Sequence, residues 1–529
     1  MSELPQGWAV ARIGEICEAS QYGFTAKAQS SGDVHFLRTT DITSGDVDWA
    51  TVPYCNIQKT DKEKYLLKDG DVVISRAGSV GYSYLLRNPK PSVFASYLIR
   101  FRPLISAEYF SYFLKTPAYW EAISEQSLGI AVQNVNATKL AEIEIPIAPA
   151  SEQARIVEKL EELLSDLDAG VAELKAAQRK LAQYRQSLLK AAVDGTLTAD
   201  WRAAHGAPQE TGAELLQRIL TERRARWEQK QLAKYAEKGK APPKGWQAKY
   251  PEPVSPILTD LPPLPEGWTW ASIEQVASEE EYALAIGPFG SNLVVSDYRD
   301  EGVPLVFVRN IRARTYGGAS TKFVSLEKAD QLKAHHVSAG DVLVTKMGEP
   351  PGDADVYPKG QPTAVITADC IKIRPQCGAL NPHYLAAVIN SPVGVQQIKP
   401  MTKGVAQKKV SLGRFSSFAV PLPPVQEQDT LVALLEAAFS SAREKDDAIE
   451  HGLKLARAQR KNLLKAAFAG QLVPQDPNDE PVSELLARIR AAREQSPAPR
   501  NRRRTASHPA PATNPPTPTR RGRKAKAGA

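Results

Sequence analysis

The residues best suited to chemistry in this chain are polar and basic side chains that fall in loops, and they occur in pairs about 270–275 positions apart. Arg76 and Ser79, in Arg76-Ala77-Gly78-Ser79, correspond to Lys346 and its successors in Lys346-Met347-Gly348-Glu349. A second loop, Gly129 through Asn136, carries Gln133, Asn134 and Asn136, and corresponds to Gly404 through Ser411 with Gln407, Lys408 and Lys409; Lys403 stands just before it. Arg38 and the Arg309-Asn310 pair each follow a short apolar run. Arginine and lysine match guanine edges and phosphates, while asparagine and glutamine match adenine. Taken singly, each of these residues serves equally well as an ordinary turn or surface residue. The pairing of positions with different residues at them is what suggests two reading heads of different specificity.

Catalytic constellations are not found. An amino-group methyltransferase needs a glycine-rich cofactor loop and an N/D-P-P-aromatic motif, and the nearest match, Asn514-Pro515-Pro516-Thr517, lacks the aromatic. No G-x-x-x-x-G-K-[ST] phosphate loop is present. The E-x-K triplets Glu173–Lys175 and Glu228–Lys230 fall on predicted helices, where residues two apart do not converge. His335-His336 are adjacent and should point apart, without the companion ligands of a zinc site. Four cysteines (Cys17, Cys55, Cys370, Cys377) form no C-x-x-C pair and read as buried, reduced thiols. The chain has no apolar run of membrane-spanning length, and its first residues lack a signal-peptide layout, so a cytoplasmic protein that does not bind membrane is expected.

The elements that must position these loops are written twice. Leu4-Pro5-Gln6-Gly7-Trp8 returns as Leu264-Pro265-Glu266-Gly267-Trp268, Gly70-Asp71-Val72 as Gly340-Asp341-Val342, and Ile99-Arg100-Phe101-Arg102-Pro103 as Ile371-Lys372-Ile373-Arg374-Pro375. Tyr109 pairs with Tyr384, Glu152-Gln153 with Glu427-Gln428, and the Lys190-to-Gly195 stretch with Lys465 to Gly470. So long a period is a duplicated domain-plus-helix unit rather than a solenoid repeat. Within each copy, short apolar runs such as Asp71–Ser75 and Tyr97–Phe101 predict strands, and Glu108 to Ile123 predicts a helical stretch. A proline-marked edge then leads into a long helix.

Each long helix carries a coiled-coil seam. Ile156, Leu160, Leu163, Leu167, Gly170, Leu174, Ala177, Leu181, Tyr184 and Leu188 alternate at spacings of four and three. The second set runs Leu431, Leu435, Ala438, Ala442, Lys445, Ile449, Gly452, Ala456, Gln459 and Leu463. The two seams are expected to pack on each other, the other reading being separate helices each held by its own domain. A helix of some 44 residues would be roughly 65 Å long, nearly two turns of duplex DNA.

The chain's +8 charge is local. Residues 496–529 hold nine basic and no acidic residues and leave the rest of the chain at −1. The expected fold class is α+β: two mixed α/β domains, each followed by a long helix, with the two helices packed as a coiled coil. The expected divisions are domain one at 1–150, its helix at 151–195, and a connector at 196–262 with a charged helix and a proline-rich tether. Domain two follows at 263–425, its helix at 426–470, a helical extension at 471–495, and a disordered basic tail at 496–529.

The twin L-P-x-G-W openings, the G-D strands, the P-x-x-E-Q approaches to the long helices and the L-L-K-A-A-x-x-G closures resemble the specificity subunit of type I restriction-modification systems. The resemblance covers about residues 1–495. It implies two target-recognition domains joined by two long antiparallel helices with pseudo-twofold symmetry, each domain reading half of a split, asymmetric DNA target in the major groove and the helices fixing the unread gap. It further implies a non-catalytic chain that binds no cofactor of its own. Two modification subunits would supply S-adenosylmethionine-dependent adenine methylation, and restriction subunits would supply ATP- and Mg-dependent translocation and cleavage. The other readings are a protein-only coiled-coil scaffold and a stand-alone DNA-modifying enzyme.

Overall fold

The computed structural model describes residues 4–127, 134–318, 321–404 and 408–495. Two compact units result: one takes the chain up to Leu167 together with the stretch from Arg457 on, the other Asp168–Ala456. The expected tail disorder lies outside the described residues.

Each unit holds one sheet-bearing domain. In the first, a four-stranded antiparallel sheet runs in the order Gln21–Tyr22, Leu98–Phe101, Val72–Ser75, Ser83–Leu85. A three-stranded sheet orders Tyr54–Cys55, Val34–Leu37 and Ser92–Phe94, the last two parallel. In the second domain the matching four-stranded sheet is Leu284–Ile286, Cys370–Ile373, Val342–Thr345, Ala354–Val356. The register is the same in both: Val72 faces Phe101 and Val342 faces Ile373. The other sheet gains a fourth strand, His336–Val337. Val72, Val73, Ile74, Val342 and Leu343 are fully buried, as continuous β-branched and aliphatic runs covered on both faces should be.

The paired motifs are the joints of this frame. Gly-Asp supplies a buried carboxylate: Asp71 accepts from the Lys68 N–H at 2.9 Å and the Arg102 Nε at 2.7 Å. Asp341 accepts from Ser338 N–H at 2.9 Å and Arg374 Nε at 2.8 Å. Both aspartates are almost fully buried (2% and 1% exposed), so the arginine is needed to offset their desolvation. The L-P-x-G-W tryptophans donate to the helix-start glutamates, Trp8 to Glu152 at 2.9 Å and Trp268 to Glu427 at 2.8 Å. The Tyr109 and Tyr384 hydroxyls donate to the carbonyls of Pro146 and Pro421. Each domain closes by pairing its first strand with its last, Ala9–Arg12 with Glu144–Ile147 and Thr269–Ser272 with Ala419–Leu422.

The long helices span Ala150–Val193 and Val425–Phe468. Arg185 and Asp446 form an ion pair at 2.6 Å, and Leu174 lies against Gly452, where an added Cβ would sit 3.1 Å from its Cδ1. Partner numbers fall as residue numbers rise, so the packing is antiparallel. Burial along the seam departs from the heptad expectation. Ile156, Leu160, Leu181, Leu431 and Leu435 are buried, but Leu163, Leu167, Leu174, Ile449 and Leu188 are half-buried, with Leu164 and Leu189 buried instead. Leu463 likewise yields to Leu464, and Tyr184, Lys445 and Gln459 are exposed. A 3.6-residue helix drifts off a 3.5-residue seam, and at the helix ends the domain cores select the next residue round.

Those ends are built into the domains. Ala192 and Val193 join the core of the second domain with Trp268 and Phe418, while Leu464, Ala467 and Phe468 join that of the first with Tyr109 and Phe113. The closing glycines, Gly195 and Gly470, have φ of +76° and +67°. A Cβ there would also strike Pro265 or Pro5, which joins each helix end to the opening motif of the other copy.

Two expectations are corrected. The predicted helical stretch from Glu108 to Ile123 is two helices, Ala107–Phe113 and Pro117–Ser127, because Pro117 cannot continue the first and Thr116 caps the second. Of the cysteines, Cys377 is exposed; the other three are buried, and all four are free. The connector's charged helix runs Gly212–Glu237; Gly212 N–H donates to Gly267 O at 2.7 Å, and Leu215 and Ile219 are buried in the second domain.

Candidate nucleic-acid interface

In each domain the fold brings the two sequence-paired loops together by equivalent bonds. Val135 N–H donates to Arg76 O at 3.0 Å, and Ala77 bridges Asn134; Val410 N–H donates to Lys346 O at 3.1 Å, and Met347 bridges Lys409. A third segment completes each site, through Arg76 N–H to Tyr97 O and Lys346 N–H to Asp369 O. The Arg76 and Lys346 loops leave the ends of the buried strands Val72–Ser75 and Val342–Thr345, so they have a rigid base.

The side chains differ. Arg76 is half-buried, stacks its guanidinium 5.0 Å from the Tyr22 ring centroid and donates Nε to Asn134 Oδ1 at 3.5 Å. Ser79 and Asn134 are exposed beside it. Lys346 is 8% exposed, donates to Ala368 O at 3.2 Å and lies 4.3 Å from the Phe289 ring centroid. Burial holds its ammonium below the usual lysine range, opposed by nearby Asp369. Exposed groups in this second site are Phe289, Lys408 and Lys409, with Lys408 paired to Glu349 at 3.5 Å.

Several candidates also make bonds or contacts within the fold. Lys346 is bonded inward and covered, so its ammonium does not face solvent. Asn310 is 8% exposed, accepts from Phe307 N–H at 2.9 Å and donates to Thr315 O at 3.2 Å, which commits its amide to the helix start it caps. Asn136 caps the helix Ala137–Ala141 by accepting from Lys139 N–H. Arg38 binds Asp41 at two points, at 3.1 and 2.7 Å. Arg309, on the helix Val308–Ala313, is exposed and lies 4.1 Å from the Phe307 ring centroid. Lys403 pairs with Lys409 in a short strand pair, its side chain outside the described residues, as are Gln133 and Gln407.

The aromatic neighbours Tyr22, Tyr97 and Phe289 were not singled out in sequence. Tyr97 was within reach, since the 272-residue offset pairs it with Asp369; Phe289 has no aromatic partner at its offset to mark it. No group of residues suited to a metal ion occurs among the described residues. His335 and His336 do point apart, one ring nitrogen lying 2.7 Å from Ile286 O and the other 2.7 Å from Ala329 O. No helix among the described residues is long and apolar enough to cross a membrane.

Two similar domains, each presenting a two-loop surface of polar, basic and aromatic groups, define a two-headed recognition protein. The family described as the type I restriction modification DNA specificity domain matches residues 5–176 and 309–451, and the chain belongs to it. It is 23% identical over 516 residues to the type I restriction enzyme EcoKI specificity subunit of Escherichia coli K12, covering 93% of this chain and 96% of that one. It is 24% identical to the EcoBI specificity subunit of Escherichia coli, over 71% of this chain and 70% of that one. Among solved structures, a chain from a study titled as the structural basis of complex assembly and conformational transition of the type I R-M system superposes with a TM-score of 0.60 at 16% identity, covering 89% of this chain and 100% of that one. The chain is thus a DNA sequence-recognition subunit, not the catalytic one, and its partners are DNA and the methyltransferase and restriction subunits.

Proposed function

We propose that each domain reads one half of a bipartite, asymmetric DNA target through its two-loop surface, and that the long helices set the gap between the halves. The observation that carries this is the equivalent bonding of the loop pairs, Val135 to Arg76 and Val410 to Lys346, with different side chains mounted on it. A shared mount with altered readers suits two heads of unlike specificity. Two modification subunits, using S-adenosylmethionine, would methylate adenine in the target, and restriction subunits would use ATP with Mg to translocate and cut; this chain would hold neither cofactor. Mapping methylated adenines in host DNA gives the target. Deleting one heptad from each long helix is expected to change the gap alone. A changed half-site sequence would contradict the assignment.

A further inference from the structure

Residues 223–249 carry nine basic and two acidic residues, a net +7 in 27 positions, and lie between the two stretches that match the family. With +9 in the tail and +8 for the whole chain, everything else sums to −8. The segment is the distal part of the connector helix and the stretch that returns along it. Its arginines are engaged: Arg223 donates to the carbonyls of Glu274 and Ala277, Arg224 pairs with Glu228 and Glu252, and Arg226 pairs with Glu222 and Glu279. Its six lysines are not. Lys230, Lys234, Lys238, Lys240, Lys244 and Lys249 are exposed, and none has a carboxylate within ion-pair distance among the described residues.

The arm is also braced. Trp227 on the helix stacks on Trp246 of the returning stretch, with ring centroids 5.8 Å apart and planes at 24°. Tyr250 meets Trp227 edge-on at 5.4 Å, Tyr235 flanks Trp246, and Arg224 lies over Tyr250. Trp246 is 8% exposed. This aromatic wedge is a small core serving the arm itself, and it braces the backbone that carries the lysines. Lys230, Lys234 and Lys238, spaced by four, run along one side of the helix and its end. The corresponding helix of the other copy, Val482–Gln495, is 14 residues against 26 and has no such return among the described residues.

We propose that this arm is a sequence-independent clamp on the phosphate backbone of duplex DNA, acting in addition to the reading loops. A lysine row on a braced backbone in an otherwise acidic body matches a regular line of phosphates, and preorganisation of that backbone lowers the ordering cost of each ion pair it forms. The proposal rests on the chain's membership of a DNA-binding family and is independent of which loop residues read bases.

The test uses the full chain assembled with its modification subunits and a duplex carrying the mapped target. Changing Lys230→Gln, Lys234→Gln, Lys238→Gln and Lys244→Gln together is expected to weaken binding to target and non-target duplexes by the same factor. The slope of log affinity against log salt should become shallower by about 3.6, at about 0.9 for each of the four phosphates no longer neutralised. The four Lys→Arg changes should restore it, and Trp227→Ala should reproduce part of the weakening. An unchanged slope overturns the proposal. So does a failure of assembly with unchanged DNA affinity, which would indicate an acidic protein partner, or an abolished target preference with unchanged slope. A failure of the loop assignment would appear instead as an Arg76 variant with unaltered base preference, leaving the clamp result standing.

Discussion

In the first domain the cation that follows the central strand, Arg76, lies on Tyr22 and reaches Asn134; in the second, Lys346 is covered by Phe289 and bonded to Ala368. The backbone bonds that set these two positions are the same. So is the frame beneath them, from the buried aspartates to the tryptophan–glutamate joints. The comparison separates two kinds of residue. Those that fix the loops are shared because any change strands a buried polar group, whereas those at the surface are free to differ. The first site thus offers a guanidinium with an amide, and the second an exposed phenyl ring with lysines.

Removing a frame carboxylate should erase the comparison in one domain at a time, with the largest effect. Asp71→Ala leaves Arg100, 6% exposed, without its counter-charge, and is expected to cost about 3 kcal/mol, the low end for a broken buried pair since Arg102 is partly exposed. Hydrogen exchange should lose protection in residues 72–101 and keep it in 342–373. Equal loss in both would show that the domains are not independently framed.

Next in size is a change of reader. Arg76→Ala is expected to relax base preference in one half-site by about 1–3 kcal/mol, the value of a two-point arginine bond to guanine. Methylation mapping should show a degenerate position in that half and an unaltered other half. Phe289→Ala should act on the opposite half. Both variants altering the same half would break the assignment of one head per half-site.

The smallest effect separates Arg100 from its counterpart Lys372. Burial pushes the Lys372 ammonium down to about 8, whereas an arginine stays charged throughout. Unfolded lysine binds its proton up to about 10.4, so between these values the unfolded state holds more protons. The penalty for burying charged Lys372 is therefore present in full below about pH 8 and is relieved as the pH rises above it. Denaturant midpoints of the second domain should climb from pH 8 to 9.5 in the wild type, and Lys372→Arg should flatten that climb. An identical climb in the variant would remove Lys372 as its cause.

Much of the frame was legible in the sequence because its parts are local or repeated. The strand runs around Val72 and Val342, the two 44-residue helices and the ordered offsets between copies all lie within the chain's own short-range pattern. The loops were legible as pairs, since the offsets name both members. Their burial was not: Lys346 and Asn310 read as exposed readers, and only packing from Phe289, Ala368, Phe307 and Thr315 shows them committed inward.

By itself, then, the sequence determined the duplication, the helix lengths, the family and the positions where the two heads differ. Periodicity and spacing carry that information without knowledge of distant neighbours. Tertiary structure alone decided which side chains remain in solvent, how the connector joins the second domain, and which leucine of each neighbouring pair enters the seam. Those outcomes depend on bonds and packing between residues far apart in the chain, such as Trp8 with Glu152 or Gly212 with Gly267, where the burial of one group is set by the shape of another.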